Sequence, residues 1–458
     1  MKVLLVSPNI EILPDPVFPL GLAYIASALR QHGISYKILD LCFIDDYEKA
    51  LNAAIDSFEP ELVGLSLRNV DNVSYPLYTS YLAFYKQVIH VIRQRSQCPI
   101  VVGGSALSLM PESISAYLGA DYGITGEGEI AMIELIRRLA GRAVTGAARE
   151  PQIIHGNAAS VANLDRLASP DRSGFDNDTY LRRGGMGNIQ TKRGCPFKCI
   201  YCTYPLIEGR RVRLRSPKRV CDEIESMQAA YGIKNIFVVD NEFNFPMEHA
   251  AFVCQEMIQR RLDIQWSCYV IPGYLNARLF QAMQAAGCTG VEFGSDAAHE
   301  AMLQNLGKDF TVKALTQASD LCRQMGMSFC HSLLLGGPGE TLDTVKATLE
   351  AVDGMSPTAV ICMIGIRIFP HTRLALIARE EGMIKPDEDF LKPVFYLSPH
   401  VKEEILPLME AFAKDHPNWI FPGLKINMNH DLQKKLRRFG VKGPLWEHMR
   451  LGRHYRKR

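Results

Sequence analysis

The sequence predicts two α/β units in tandem: a doubly wound parallel sheet over residues 1–141, then an incomplete barrel of six strand–helix units over 186–375. Three observations carry this. Short apolar runs alternate with amphipathic stretches through both units, the pattern of parallel strands joined by crossover helices. The intervening stretch 142–185, which contains SPDRSGFDNDTYLRRGGMG, has weak periodicity and reads as a linker. The alternation stops near residue 376, so 376–458 reads as a small, mostly helical appendage with helical patterns at 401–414 and 431–438.

In the first unit strands are expected at 3–8, 36–41, 62–68, 100–104 and 121–125, with helices at 19–32, 46–57, 79–95, 111–118 and 128–140. Ligands of doubly wound sheets sit outside the carboxyl ends of the strands. Those ends carry Ser7, Pro8 and Asn9, the stretch from Ser66 to Asn72, Gly103-Gly104-Ser105, and Gly126-Glu127-Gly128. In the second unit strands are expected at 188–192, 235–240, 264–270, 290–295, 328–336 and 360–369. Helices fit at 217–231, 247–261, 276–286, 312–325 and 341–353, and Ser216-Pro217 supplies a side-chain cap with Pro in the first turn. Active residues of such a barrel project from the carboxyl ends of its strands.

The chain has 458 residues, enough for two or three domains. With 47% hydrophobic and 22% charged residues it has the composition of a soluble globular protein. A net charge of +2 gives no reason to expect a nucleic-acid or membrane partner. The opening MKVLLVSPNIEIL holds an apolar run of only about five residues with no small-residue cleavage site, so it reads as a buried strand rather than a secretion signal. No stretch approaches the ~18 uncharged apolar residues that cross a bilayer. The chain is read as a cytoplasmic monomer. Its last 28 residues carry ten Lys or Arg against two acids, either a solvated face or an electrostatic lid over an anionic ligand.

Most of the twelve cysteines stand singly in apolar runs, as small core hydrophobes do. The exception is TKRGCPFKCIYC, in which Cys195, Cys199 and Cys202 follow a predicted strand at Cys-x3-Cys-x2-Cys spacing. Thiolates are the usual ligands of iron–sulfur clusters, and a [4Fe–4S] cluster takes four. Three close thiolates leave one iron open, which marks a catalytic metal. Zinc suits this spacing poorly and lacks its fourth ligand. A redox pair of Cys199 and Cys202 ignores Cys195. Chance spacing is the remaining alternative in a chain with twelve cysteines.

The segment resembles the cluster loop of the radical S-adenosylmethionine superfamily, whose fold is a partial, TIM-like (β/α)6 barrel. The resemblance implies a fourth iron chelated by the amino and carboxylate groups of S-adenosylmethionine, and reductive cleavage of the sulfonium to a 5′-deoxyadenosyl radical. Tyr201 matches the aromatic position placed against adenine. Asp240, Asn241 and Glu242 stand where the family has a Gly-Gly-Glu contact to the methionyl amine. Ser267 and Tyr269 end the third strand, and Glu292, Gly294, Ser295 and Asp296 the fourth. LLLGGPGET, with Gly336 and Gly337, resembles the fifth-strand motif that approaches adenine and ribose, and RIFPHT, with Arg367, the sixth.

The first unit lacks the Gly-x-Gly-x-x-Gly turn of a dinucleotide site. Its PLGLAYIASALRQHG, VVGG and DYGITGEGE segments resemble the Rossmann-like cobalamin-binding domain of cobalamin-dependent radical S-adenosylmethionine enzymes. The two resemblances together span residues 1–375, about four-fifths of the chain. No Asp-x-His-x-x-Gly motif occurs, and His32 and His90 fall on predicted helices, so the resemblance implies cobalamin bound without a His on cobalt. The loop LSLRNVDNVSYP then places Arg68, Asn69, Asp71 and Asn72 toward the lower face of the corrin. A cationic Arg68 would not coordinate cobalt; alternatively it pairs with Asp71 in a polar turn. Ser105 is expected on the nucleotide tail, with Gly126, Glu127 and Gly128 as the wall beside it. A cofactor-free interaction module is the other reading of this unit.

The function these resemblances imply is that of a methyltransferase, which moves a methyl group from S-adenosylmethionine via cobalamin to an unactivated carbon of a small-molecule or peptide substrate. A reductant such as flavodoxin or ferredoxin is the expected partner. The alternatives are radical rearrangement or ring formation without methyl transfer, polar methylation without a radical, and a cobalamin or iron–sulfur sensor without chemistry. Tyr269, His331 and Arg367 are candidate side chains at the barrel mouth, with Arg68, Tyr269 and Arg367 expected to be catalytic.

Overall fold

The computed structural model describes residues 1–140, 150–156 and 161–449. Residues 450–458 of the basic tail, residue 141 at the end of the first unit, and 142–149 and 157–160 of the expected linker lie outside the described residues. In the first unit the strands are β1 (Lys2–Ser7), β2 (Ser35–Asp40), β3 (Leu62–Ser66), β4 (Ile100–Gly103), β5 (Tyr122–Thr125) and β6 (Gln152–His155). They pair in parallel in the order β2-β1-β3-β4-β5-β6. Val3 to Val6 of β1 are buried on both faces of the sheet, as strands covered by helices on both sides must be. Helices Leu20–Gln31 and Gly128–Leu139 cover one face, and Tyr47–Phe58 and Leu82–Arg95 the other. The order of the strands reverses between β1 and β3, which places the ligand crevice at their carboxyl ends.

The linker expected at 142–185 is corrected in two places. Gln152–His155 is the sixth strand of the first sheet, and Asn177–Gly184 is a helix capped by the Asp176 carboxylate on the Thr179 N–H. The stretch is also fastened to both units. Tyr180 donates to Asp40 at 2.6 Å, and Arg172 donates to the Asn188 carbonyl at 2.6 Å.

Downstream the strands are β7 (Gly187–Ile189), β8 (Lys192–Arg193), β9 (Arg213–Leu214), β10 (Asn235–Val238), β11 (Gln265–Val270), β12 (Cys288–Asp296), β13 (Ser328–Leu335), β14 (Ala359–Ile364), β15 (Ile366–Arg367), β16 (Phe395–Tyr396) and β17 (Trp419–Ile420). Seven form one parallel sheet in the order β7-β10-β11-β12-β13-β14-β17, and β8–β9 and β15–β16 are short antiparallel pairs. The six expected barrel strands are all present. The seventh, β17, comes from the region expected to be an appendage, as does β16, so that region completes the barrel unit rather than hanging from it.

Alternation along the barrel strands decides which side chains see its interior. Val291 and Phe293 of β12, and Phe329, Leu333 and Leu335 of β13, belong to the core under the helices. Glu292, Tyr269 and Phe237 point the other way and line an internal cavity. No helix among the described residues is long and apolar enough to cross a membrane.

The units are pinned together by buried ion pairs. Arg213 meets Glu127 at 2.9 Å and Arg193 meets Glu129 at 2.7 Å, joining the cluster-loop hairpin to the end of the first sheet. On the opposite side Arg367 meets Asp71 at 2.9 Å, with both side chains buried.

Candidate active site

The three cysteines lie on a loop clasped from two sides. The Cys195 N–H donates to the Gly209 carbonyl at 3.1 Å, and the Ile200 N–H to the Leu306 carbonyl at 3.0 Å. Gly194 opens the loop at φ +94°, where a Cβ would lie 2.2 Å from the Arg211 carbonyl oxygen; only glycine fits that turn. All three thiols are free. Among the described residues no three His, Cys, Asp or Glu converge tightly enough for a single metal ion. The thiols nonetheless lie within electrostatic reach of one another. That wider spread suits the corners of a cluster better than a mononuclear site.

The carboxylate of Glu242 faces the same loop: its charge acts on Cys195 and Cys199, and its Oε2 is buried with no hydrogen-bond partner. Burial pushes Glu242 up to about 7. An orphaned acid beside three thiols is what a site for a cluster and the ammonium of S-adenosylmethionine requires, so the residues present fit the group. The neighbouring candidates are committed elsewhere. Asp240 accepts from the Thr191 N–H at 2.7 Å and lies 3.5 Å from Lys192, and Asn241 donates to Glu208 at 3.3 Å. Tyr201 donates to Asp296, which also takes Lys308 at 2.7 Å. Gly336 and Gly337 donate their N–H groups to Glu340 Oε2 at 2.7 and 3.2 Å, so this acid shapes the glycine turn.

Two of the barrel-mouth candidates are corrected. His331 is fully buried and hydrogen-bonds Ser295 at 2.7 Å and Ser319 at 3.2 Å, on the helix-facing side of β13. Burial lowers it to about 3, so it is a neutral core residue, and Ser295 is its partner rather than a cofactor contact. Arg367 spends its guanidinium on Asp71, the Ile368 carbonyl at 2.6 Å and the Phe390 carbonyl at 2.7 Å. It ties the first unit to the last barrel strand and does not reach the cavity, so the structure gives it no catalytic contact. The same bond removes Asp71 from both Arg68 and the corrin side.

One cavity of about 1400 Å³ lies between the two units. This exceeds an ordinary small-molecule pocket. Its first wall is the strand ends of the first sheet: Ser7, Asn9, Ser66, Arg68, Asn69, Asn72, Gly103, Gly104, Ser105, Gly126, Glu127 and Gly128. Pro8 is not part of it. Gly104 sits at φ +95°, and a Cβ there would lie 2.5 Å from the Leu67 carbonyl oxygen, so the turn requires glycine; with Gly103 it gives the cleft a floor of bare main chain. The Ser105 hydroxyl is occupied by the Arg68 carbonyl at 2.5 Å, and the Glu127 carboxylate by Arg213. Arg68 forms no salt bridge among the described residues, and its charge acts on Tyr204 and Tyr269 across the cavity. His32 and His90 hydrogen-bond within their own helices, to Ala28 and Gln94. The first sheet thus gives the cavity a broad glycine-lined cleft with one cation, Arg68, and room for a corrin, while His430, from the C-terminal region, also lines the cavity.

The far end of the cavity enters the barrel. Tyr269 lines it with its ring edge-on to Phe237 at 5.1 Å. The Glu292 charge first, then burial, raises the Tyr269 phenol well above its ordinary value. Ser267, on the same face of β11, is buried with an unpartnered hydroxyl. Sequence reasoning missed Tyr204, Glu208 and Trp446, which also line the cavity. Tyr204 was within reach, since Tyr204-Pro205 follows the third cysteine closely. Nothing near Trp446 in the sequence points to the cavity.

Residues 189–352 match the Radical SAM superfamily and residues 10–136 the B12 binding domain. A tryptophan 2-C-methyltransferase of Streptomyces laurentii is 29% identical over 83% of this chain and 74% of its own length. An uncharacterized methyltransferase of Pyrococcus horikoshii is 30% identical over 76% and 77%. Among solved structures, the radical S-adenosylmethionine methyltransferase TsrM from Kitasatospora setae, with tryptophan substrate and a SAM analog bound, superposes with a TM-score of 0.87 over 99% of both chains at 26% identity. The cobalamin-dependent S-adenosylmethionine radical enzyme OxsB shares the fold, with a TM-score of 0.72 over 96% of this chain and 72% of its own at 16% identity. With both cofactor domains matched and facing one cavity, the chain belongs to the cobalamin-dependent radical S-adenosylmethionine methyltransferases, enzymes that act on small molecules with a [4Fe–4S] cluster, S-adenosylmethionine and cobalamin.

Proposed function

We propose that this methyltransferase acts on a carbon of a planar, N–H-bearing small molecule, with L-tryptophan as the first candidate. The single observation that carries the reading is the continuity of the cavity: one space runs from the glycine floor of the first sheet to Tyr269, Phe237 and Glu292 inside the barrel. Aromatic walls there suit a flat apolar body, and the Streptomyces laurentii enzyme and TsrM act on or bind tryptophan.

When bound, cobalamin, the cluster and S-adenosylmethionine supply the methyl group and the electrons. Cys195, Cys199 and Cys202 would hold the cluster, with Glu242 facing its open side or the methionyl amine. The main chain at Gly103 and Gly104 would carry the corrin. Arg68, a permanent cation with donors only, would contact the corrin from the β3 loop rather than serve as a metal ligand. Tyr269 and Phe237 would orient the substrate. A cytoplasmic location and a flavodoxin- or ferredoxin-type electron donor belong to the same proposal.

Anaerobic incubation of the reconstituted enzyme with reductant, L-tryptophan and methyl-deuterated S-adenosylmethionine tests it. Deuteromethyl-tryptophan formed in step with S-adenosylhomocysteine is expected. No labelled product from tryptophan contradicts the substrate. 5′-Deoxyadenosine without S-adenosylhomocysteine points to rearrangement or ring formation instead; S-adenosylhomocysteine without deoxyadenosine marks a polar route.

A further inference from the structure

The inner end of the cavity is apolar apart from a few groups, and the strongest of these is Glu292. Its one hydrogen bond among the described residues comes from the C-terminal turn Leu445–His448: Trp446 Nε1 donates to Glu292 Oε1 at 2.7 Å. The indole is wedged against the barrel wall. It packs on Cys330 and Ala359, and a Cβ at Gly290 would lie 2.9 Å from its ring. The turn is moored from the side by Arg437, which meets Asp15 through both guanidinium arms at 2.9 and 2.8 Å, and by Lys442 on the Leu181 carbonyl at 2.9 Å. Glu292 is therefore held in one orientation with its second oxygen left for a ligand. The unpartnered Ser267 hydroxyl, on the neighbouring strand, faces the same interior.

The charges acting on the cluster thiols include Glu242, Glu208, Asp296 and Lys308, and Glu292 is not among the principal ones. Glu292 thus stands apart from the cluster loop, at the barrel end of the cavity beside Trp446 and Tyr269. We infer that Glu292, oriented by Trp446, is the subsite that accepts the N–H of a planar heteroaromatic substrate, with Trp446 as a positioning residue. The existing Trp446 contact is itself an indole N–H donated to this carboxylate, so the geometry that the ligand needs is already present on one oxygen. Burial pushes Glu292 up to about 7, while the Trp446 hydrogen bond holds it down. Tyr269 from β11, Cys330 from β13 and Glu447 from the turn are the titratable groups that face it. Glu292 accepts best as the carboxylate, so affinity should rise as pH passes upward through its pKa.

The inference rests on the proposed function for the flat, N–H-bearing substrate, but not on tryptophan itself. The test is binding of indole and of benzothiophene, which has the same shape and no N–H donor, to the anaerobic holoenzyme. A charge-assisted hydrogen bond predicts a preference for indole of about tenfold or more. Glu292→Gln should cut that preference to within about threefold. Trp446→Phe keeps the aromatic volume but removes the donor, so the preference should fall near pH 7 and recover at about pH 8.5. Equal affinity of the wild type for both probes overturns the inference. So does a Glu292→Gln variant that keeps the preference, or a Trp446→Phe variant without the pH recovery. If Glu292→Gln loses its cofactors, the Trp446→Phe pH profile decides. Failure to methylate tryptophan with the indole preference intact removes tryptophan and leaves the subsite; methylation without the preference does the reverse.

Discussion

The two sides of the cavity are built from different materials. The first sheet meets its ligand with main chain and small residues: Gly103, Gly104, Ser105, Gly126 and Gly128, with Arg68 as the one prominent charge. The barrel meets the same space with titratable side chains: burial raises Tyr204, Glu208 and Glu292, and the Glu292 charge followed by burial raises Tyr269. A large planar cofactor needs room and shape, which bare backbone supplies. Positioning a sulfonium and a substrate needs placed charges, which only side chains supply. The contrast assigns the cofactor floor to the first unit and the orientation of the reacting groups to the second.

The strongest way to break this division is to force the main chain of the floor to move. Gly104→Val would place its Cβ about 2.5 Å from the Leu67 carbonyl oxygen at a positive φ. The β3 and β4 loop ends must then shift, and with the contact area lost at about 25 cal/mol per Å² cobalamin binding should weaken by roughly a hundredfold or more. The cluster absorbance should stay at the wild-type level. Loss of both chromophores together would mean that the floor is not separable from the barrel.

A middle-sized effect concerns the joint between the units. Asp71→Ala leaves Arg367 buried without its partner, which costs about 3–5 kcal/mol. A lower melting temperature with unchanged affinity for S-adenosylmethionine is expected. A stable variant that fails in chemistry would return Arg367 to the catalytic set.

The smallest effect sharpens the electrostatic half. Glu292, Glu447 and Glu340 are each raised by burial to about 7 from 4.5. A carboxyl with a raised folded pKa contributes stability that is complete below about pH 4.5 and lost as pH rises through about 7. Hydrogen exchange should therefore quicken between about pH 5 and 8 more in the barrel strands than in β1, β3 and β4. Glu340→Gln should flatten part of that slope. Equal slopes in both units would count against the contrast.

Much of this was legible in the sequence because the signals are local. The Cys195, Cys199 and Cys202 spacing lies within eight residues, and the apolar alternation placed ten helices to within about three residues at either end. What escaped was non-local or two-sided. Arg367 and Asp71 are separated by 296 positions, and nothing near either announces the pair. SFCHSLLL is apolar on both faces, so it cannot say that His331 points at the helices and Cys330 at Trp446. Strand β6 is a four-residue edge in a polar stretch and has too little period to read. Trp446 matters through a fold-back that brings the chain end to β12, a contact across 154 positions.

Both cofactor sites open on one cavity and should serve one transfer. The most direct measurement repeats the deuterated-methyl assay on enzyme reconstituted with both cofactors, with the cluster alone, and with cobalamin alone. Labelled product only from the doubly loaded enzyme is the predicted result. Labelled product from enzyme lacking either cofactor would contradict it.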